Sequence, residues 1–170
     1  MSASLSERIA ARVPTASNLY SRLLLVVGPP RSGKTTALGD LASKKSWPIV
    51  NVNLTLSERL LELTTKQRAL RVARLLDEIV SEQDGDVLIL DNVEVLFSLE
   101  LQQDPLKLLQ GLTRNRTVIA AWAGGFEDET LTYADTTHPE FRNYRSPDAI
   151  IVPAVQEQRN TELTVNKESA

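Results

Sequence analysis

Five short runs, poor in charge and separated by amphipathic stretches, set the rhythm of this 170-residue chain. They are Arg22 to Val27, Pro48 to Asn53, Asp86 to Asp91, Thr117 to Trp122 and Ala149 to Val152. Runs of this length with so few polar positions read as strands covered on both faces. The stretches between them carry helix signals. Ser4-x-x-Glu7 is a capping box, and the helix it starts is expected to end at Pro14. A helix from Lys34 to about Lys44 follows the first strand, with Gly39 inside it at a cost of ~1 kcal/mol relative to alanine. Thr55-x-x-Glu58 predicts a cap for a short helix through Leu63. Thr64-x-x-Gln67 predicts one for a longer helix to about Glu82, with Leu70, Ala73, Leu76 and Val80 on its inner face. Asp84-Gly85 reads as a turn. Asp104 is placed to cap a helix with Pro105 at its first position and Gly111 at its end. Residues 124–147 hold turn formers and aromatics and read as irregular.

Strands alternating with helices predict an α/β fold, a parallel sheet flanked by helices whose ligands sit at the carboxyl ends of the strands. The pattern shows no repeat and predicts one domain over 1-152, N-terminal helix included. A polar, disordered tail is expected over 153-170. Composition then removes whole classes. The chain has no cysteine, which excludes disulfide frameworks, thiolate metal sites and a cysteine nucleophile. A net charge of −3 argues against a protein that coats nucleic acid unaided. No apolar run reaches the ~18 residues of a membrane span, and no signal-peptide core opens the chain. A cytoplasmic protein with no membrane contact is the expectation.

The candidate chemistry lies between the first strand and its helix. Gly28-Pro29-Pro30-Arg31-Ser32-Gly33-Lys34-Thr35 fits G-x-x-x-x-G-K-[ST], the phosphate-binding loop or Walker A motif, in the strand–loop–helix context that the motif needs. The glycines let main-chain N–H groups turn inward on phosphate oxygens, and the helix N-terminus adds partial positive charge. Lys34 is the cation for the β- and γ-phosphates, and the hydroxyl of Thr35 suits Mg²⁺. Thr36 either donates to the α-phosphate or is only a helix residue. Pro29 and Pro30 stiffen the loop, while Arg31 points along the phosphates or into solvent. ATP with Mg²⁺ is the ligand this predicts.

Val87 to Asp91 reads as a Walker B strand, four apolar residues ending in an acid that would face Mg²⁺ through water. Asn92 follows, where many ATPases of this type have a glutamate to polarise the attacking water. An amide orients water but cannot take its proton. Slow hydrolysis, substitution by Glu94, or completion of the site by a partner would each account for it. Other residues read as structure. Trp122 belongs to the core. Tyr20 packs beside the first strand, although stacking on adenine is an alternative. Arg68, Arg71 and Arg74 mix with acids on a solvated helix face. His138 lies in a turn, with no ligand cluster.

In its layout the chain resembles AAA+ and RecA-like folds. That implies a P-loop NTPase core with a five-stranded, mostly parallel sheet in order 5-1-4-3-2. Such proteins often carry charge-stabilising arginine fingers near the positions of Arg114 and Arg116 or of Arg142 and Arg145, the second pair being favoured. The fourth strand ends in Trp122-Ala123-Gly124-Gly125, without the usual polar sensor. Only 18 residues follow Val152, so no helical lid domain is expected. The motif run also resembles the BrxF family, small P-loop ATPase-like proteins of type 3 BREX (bacteriophage exclusion) defence. That likeness rests on Leu24 to Thr36, Val50 to Leu54, Ser57 to Thr64, Leu90 to Phe97, Gln103 to Leu112, Arg114 to Thr117, and His138-Pro139-Glu140. It implies an ATP-binding protein or weak ATPase of antiviral defence, a homo-oligomer that assembles or switches partners with nucleotide among other BREX proteins. It does not imply direct DNA contact. The alternative is a small-molecule or nucleotide kinase using residues 126–147 as a lid. A GTPase is disfavoured, because the only Asn-Lys pair, Asn166-Lys167, sits in the tail.

Overall fold

Apolar side chains on both sides of the strands force helices onto both faces of the sheet. The computed structural model describes residues 3–155. The parallel strands are β1 (Leu23–Gly28), β2 (Ile49–Asn51), β3 (Val87–Asp91), β4 (Thr117–Glu127) and β7 (Ile150–Pro153), in the order β2-β3-β4-β1-β7. Counting only these five, that is the predicted 5-1-4-3-2. Every residue of β1 and β3 is buried. Alternate residues serve opposite layers. Leu24, Val26, Ile89 and Ile119 pack with α1 (Leu5–Ser17) and α2 (Lys34–Lys45). Leu23, Leu25, Leu88, Leu90 and Val118 pack under α3 (Val52–Leu60), α4 (Thr65–Ser81), α5 (Pro105–Gly111) and two 3-10 turns, Glu94–Phe97 and Leu99–Leu101. The expected tail lies, beyond Val155, outside the described residues. None of the helices described follows β7.

Several boundaries differ from the sequence reading. The first helix does not stop at Pro14 but continues to Ser17. Proline forfeits one hydrogen bond and sits on the exposed side, while Ile9, Val13 and Ala16 remain buried along the other. The second strand ends at Asn51, whose side chain accepts the Leu54 N–H and starts α3 before Thr55. The Thr64–Gln67 capping box forms as read. The inner face of α4 is Val72, Leu76, Ile79 and Val80. Leu76 and Val80 are buried as predicted, whereas Leu70 is 75% exposed and Ala73 is exposed as well, Val72 and Ile79 taking their places.

The largest correction concerns residues 124–147. They are not irregular: β4 runs on to Glu127 and pairs antiparallel with β5 (Thr130–Tyr133), which pairs with β6 (Arg142–Arg145). Tyr133 of this extension is buried, and Phe126 and Tyr144 pack against the core. Trp122 is fully buried, and its indole N–H donates to the Thr132 carbonyl at 3.0 Å. Phe97 stacks on Tyr133 with ring centroids 3.4 Å apart, and Tyr144 meets Trp122 edge-on at 5.9 Å. The Tyr144 hydroxyl donates to Asp104, the residue that caps α5. Burial and that carboxylate push the phenol above its ordinary pKa.

This extension depends on close backbone approach at Gly124, where a Cβ would collide with the Thr132 carbonyl; at Gly125 it would meet only Thr132 Oγ1 at 3.6 Å. Gly124→Ala is therefore expected to destabilise the protein by ~2 kcal/mol or more, and Gly125→Ala by less than ~1 kcal/mol. Urea unfolding of the two variants checks this difference.

Candidate functional site

The loop between β1 and α2 folds back on itself because two residues take left-handed backbone angles, Arg31 at φ 65° and Gly33 at φ 92°. Glycine adopts such angles freely, and arginine less so. Successive N–H groups in this arrangement form a concave anion cradle. Gly33 caps α2 without a side-chain hydrogen bond, so the first-turn N–H groups of this 12-residue helix have no side chain competing for them.

Lys34 closes the cradle. Its ammonium donates to the carbonyls of Gly28 at 2.6 Å and Pro29 at 2.7 Å, and approaches Ser32 Oγ at 3.3 Å. An ammonium has three donors, so trading the weak Ser32 contact for a phosphate oxygen leaves the loop's own bonds intact. Lys34 is buried, and desolvation lowers its pKa while Glu94 and then Asp91 oppose that shift. A partly desolvated cation gains more from an incoming anion than one surrounded by water.

Opposite the lysine stands the end of β3. A cavity of about 390 Å³ is lined by Pro30, Arg31, Gly33, Lys34, Thr35 and Thr36 on one side and by Asp91, Asn92 and Glu94 on the other. Asp91 is 6% exposed, and its Oδ1 accepts the Asn92 N–H at 2.9 Å. Asn92 sits at φ 51°, a left-handed angle that asparagine tolerates better than most residues. That turn carries the chain into the 3-10 segment bearing Glu94. Thr35, Asp91 and Glu94 offer hard oxygen donors, the set that suits Mg²⁺. Among the described residues no group of three or more His, Cys, Asp or Glu could hold a metal by itself. Mg²⁺ typically uses only one or two protein oxygens and fills the rest of its shell with water and substrate phosphates.

Asn53 is a site residue that the sequence reading missed. Its Nδ2 donates to Glu94 Oε2 at 3.2 Å, its Oδ1 accepts the Val95 N–H at 2.7 Å, and its own N–H bonds the Asn92 carbonyl at 2.8 Å. The pairing of Asn51 with Asp91 brings the end of β2 beside this turn. The available signal was an Asn-x-Asn at a strand's carboxyl end in a fold that places ligands there.

Gly28, Pro29 and Ser32 serve the cradle by holding Lys34 rather than by lining the main cavity. The structure does not bring Arg142 or Arg145 to the chain's own phosphate loop. Both lie on β6, where Arg142 donates to the Gln103 carbonyl at 3.0 Å and Arg145 is exposed. Arg114 and Arg116 precede β4 at the opposite sheet edge, and Arg116 bonds the Gln83 carbonyl. Arg68 is half-buried and donates to the Leu60 and Leu63 carbonyls at and just past the end of α3, while Arg74 pairs with Glu78 on the exposed face. Tyr20 neither packs beside β1 nor reaches the site, being 99% exposed at the amino edge. No helix among the described residues is long and apolar enough to cross a membrane.

The profile of AAA, the ATPase family associated with various cellular activities, matches residues 24–125, more than half of the chain. Solved structures with a similar fold include C. elegans PCH-2, with 16% identity and a TM-score of 0.46 over 97% of this chain and 45% of that one. A DNA replication initiation factor has 16% identity and a TM-score of 0.47, over 96% and 48%. AMPPCP-bound DnaA from Aquifex aeolicus has 14% identity and a TM-score of 0.45, over 95% and 48%. This chain thus spans just under half the length of each. No curated protein matches it.

Removing the Lys34 ammonium leaves the cradle without its one buried cation. Lys34→Ala is expected to weaken MgATP binding at least ~100-fold, about 2.7 kcal/mol. Isothermal titration of both proteins measures it, with unfolding curves to confirm that the variant is folded.

Proposed function

The chain belongs to the AAA family of ATPases, and from that premise we propose that it binds MgATP at the loop of residues 28–36 and hydrolyses it slowly, as a nucleotide-controlled assembly or partner switch in anti-phage defence. One observation carries the reading: a desolvated lysine, held by its own loop carbonyls, shares a cavity with Asp91, Asn92 and Glu94. The main-chain donors from Gly33 to Thr36 receive the phosphates, and Lys34 takes the β- and γ-oxygens. Thr35 and Asp91 would hold Mg²⁺, which would neutralise charge on the phosphates.

Slow turnover follows from the residues beside Asp91. Asn92 can orient an attacking water but has no base to accept its proton. Glu94 has one, and Asn53 restrains it. Arg142 and Arg145 then serve a neighbouring copy's site in a homo-oligomer. Arg145 is the freer of the two, because Arg142 is tied to Gln103. The likeness of residues 24–36 and 90–97 to BrxF supports assignment to BREX defence and to partners from that system. Against the kinase alternative, the segment it would use as a lid carries two strands, Thr130–Tyr133 and Arg142–Arg145, fastened to the core through Trp122, Tyr144 and Arg142.

Glu94→Gln keeps the acceptor for Asn53 and removes the base. Turnover is expected to fall at least ~10-fold, with MgATP affinity within about twofold of wild type. Steady-state hydrolysis and calorimetry on the same preparations decide it; unchanged turnover would remove Glu94 from the chemistry. Arg145→Ala and Arg142→Ala are expected to lower turnover with affinity retained, and wild-type turnover should rise with protein concentration. Normal rates in both variants would reject the finger assignment.

A further inference from the structure

Two adjoining cavities leave the amino edge of the sheet, at the far end of the strands from the phosphate loop. The first, about 480 Å³, lies among Tyr20, Arg22, Gln110 and Thr113. The second, about 350 Å³, continues between α4 and α5 past Arg74, Asp77, Lys107 and Leu108. They share Gly111 and Arg114, and a Cβ added at Gly111 would meet nothing within 4 Å. Four cations line this path against one carboxylate, Asp77, although Glu78 draws on Arg74 at 3.6 Å. Arg22 is fixed, donating to the Thr113 and Arg114 carbonyls. Lys107 and Arg114 are exposed, and their side chains bond no other group among the described residues.

In a chain of net charge −3, such a line of cations is a local departure that a polyanion would find. Tyr20 stands at its mouth with 99% of its surface in water. An aromatic ring that packs on nothing and neighbours two arginines is a platform for a nucleobase. The negative surface elsewhere disfavours coating a duplex, whereas a short single strand needs only the groove. We propose that this groove binds single-stranded nucleic acid, its phosphates along Arg22, Arg114, Lys107 and Arg74 and one base stacked on Tyr20. This site stands apart from the ATP reading: the six residues of β1 separate the two by roughly 20 Å. It also revises the expectation that contact with DNA would be only indirect.

Fluorescence anisotropy of the full chain with a labelled oligothymidylate of about 20 nucleotides at ~50 mM salt tests it. Saturable binding is expected, weakening as salt rises with a log–log slope near −2 to −3, about −0.7 for each phosphate contact. Lys107→Glu with Arg114→Glu should weaken it at least tenfold while MgATP affinity is unchanged. Tyr20→Ala, at a position too exposed to affect folding, should weaken it about fivefold or more. No binding at low salt, or binding that survives both variants, would overturn the proposal. So would a polyglutamate peptide that binds the same groove as tightly as the oligonucleotide, because it would reassign the surface to an acidic protein.

Discussion

A single ammonium held against its own loop organises this molecule. Lys34 reaches back across the cradle to the carbonyls of Gly28 and Pro29, so the segment that must receive an anion is closed by a cation before the anion arrives. The arrangement needs Gly33 in a left-handed conformation and a buried strand to hold Gly28 still. The rest of the fold supplies both. β1 is paired on either side, with β4 and β7, and every one of its side chains is covered. Electrostatics benefits twice. Burial removes competing water from the lysine and lowers its pKa, and the carboxylates of Glu94 and Asp91 oppose that shift.

The same sheet places the second half of the site. Parallel pairing of β2 with β3 sets Asn51 opposite Asp91, and the chain that leaves β2 delivers Asn53 to the turn after β3. Glu94 therefore answers to two elements at once, the 3-10 turn that carries it and the helix that restrains it. Phe97, at the other end of that turn, stacks on Tyr133 of β5, so the antiparallel extension rests on the segment that bears Glu94. Burial, together with Glu94 and Glu140, pushes the Tyr133 phenol up to about 12.

The legible parts of the chain were those with strong local signals. Five apolar runs, the glycine loop, Asp91 after four aliphatic residues, the Thr64–Gln67 box and the Asp104–Pro105 start all depend on neighbours within a few residues. The illegible parts depend on distant partners. Gly124 and Gly125 read as turn formers, yet both are strand residues, and Gly124 is the one that lets β5 approach. Pro14 read as a stop, but a buried stripe on the other side of α1 carries the helix past it. Leu70 read as core from its spacing, and only the position of α3 shows that Val72 and Ile79 face inward instead. Asn53 gave only the weak Asn-x-Asn signal at the end of β2, since the partners that reveal its role lie some forty residues away.

If the cradle around Lys34 recognises the phosphate chain, affinity must follow the number of phosphates. Calorimetric titration of the wild-type protein with ATP and with AMP, both in magnesium, measures that directly. Saturable heat with ATP that is lost with AMP is the predicted result. Equal heats for the two, or none with ATP from folded protein, would contradict the account.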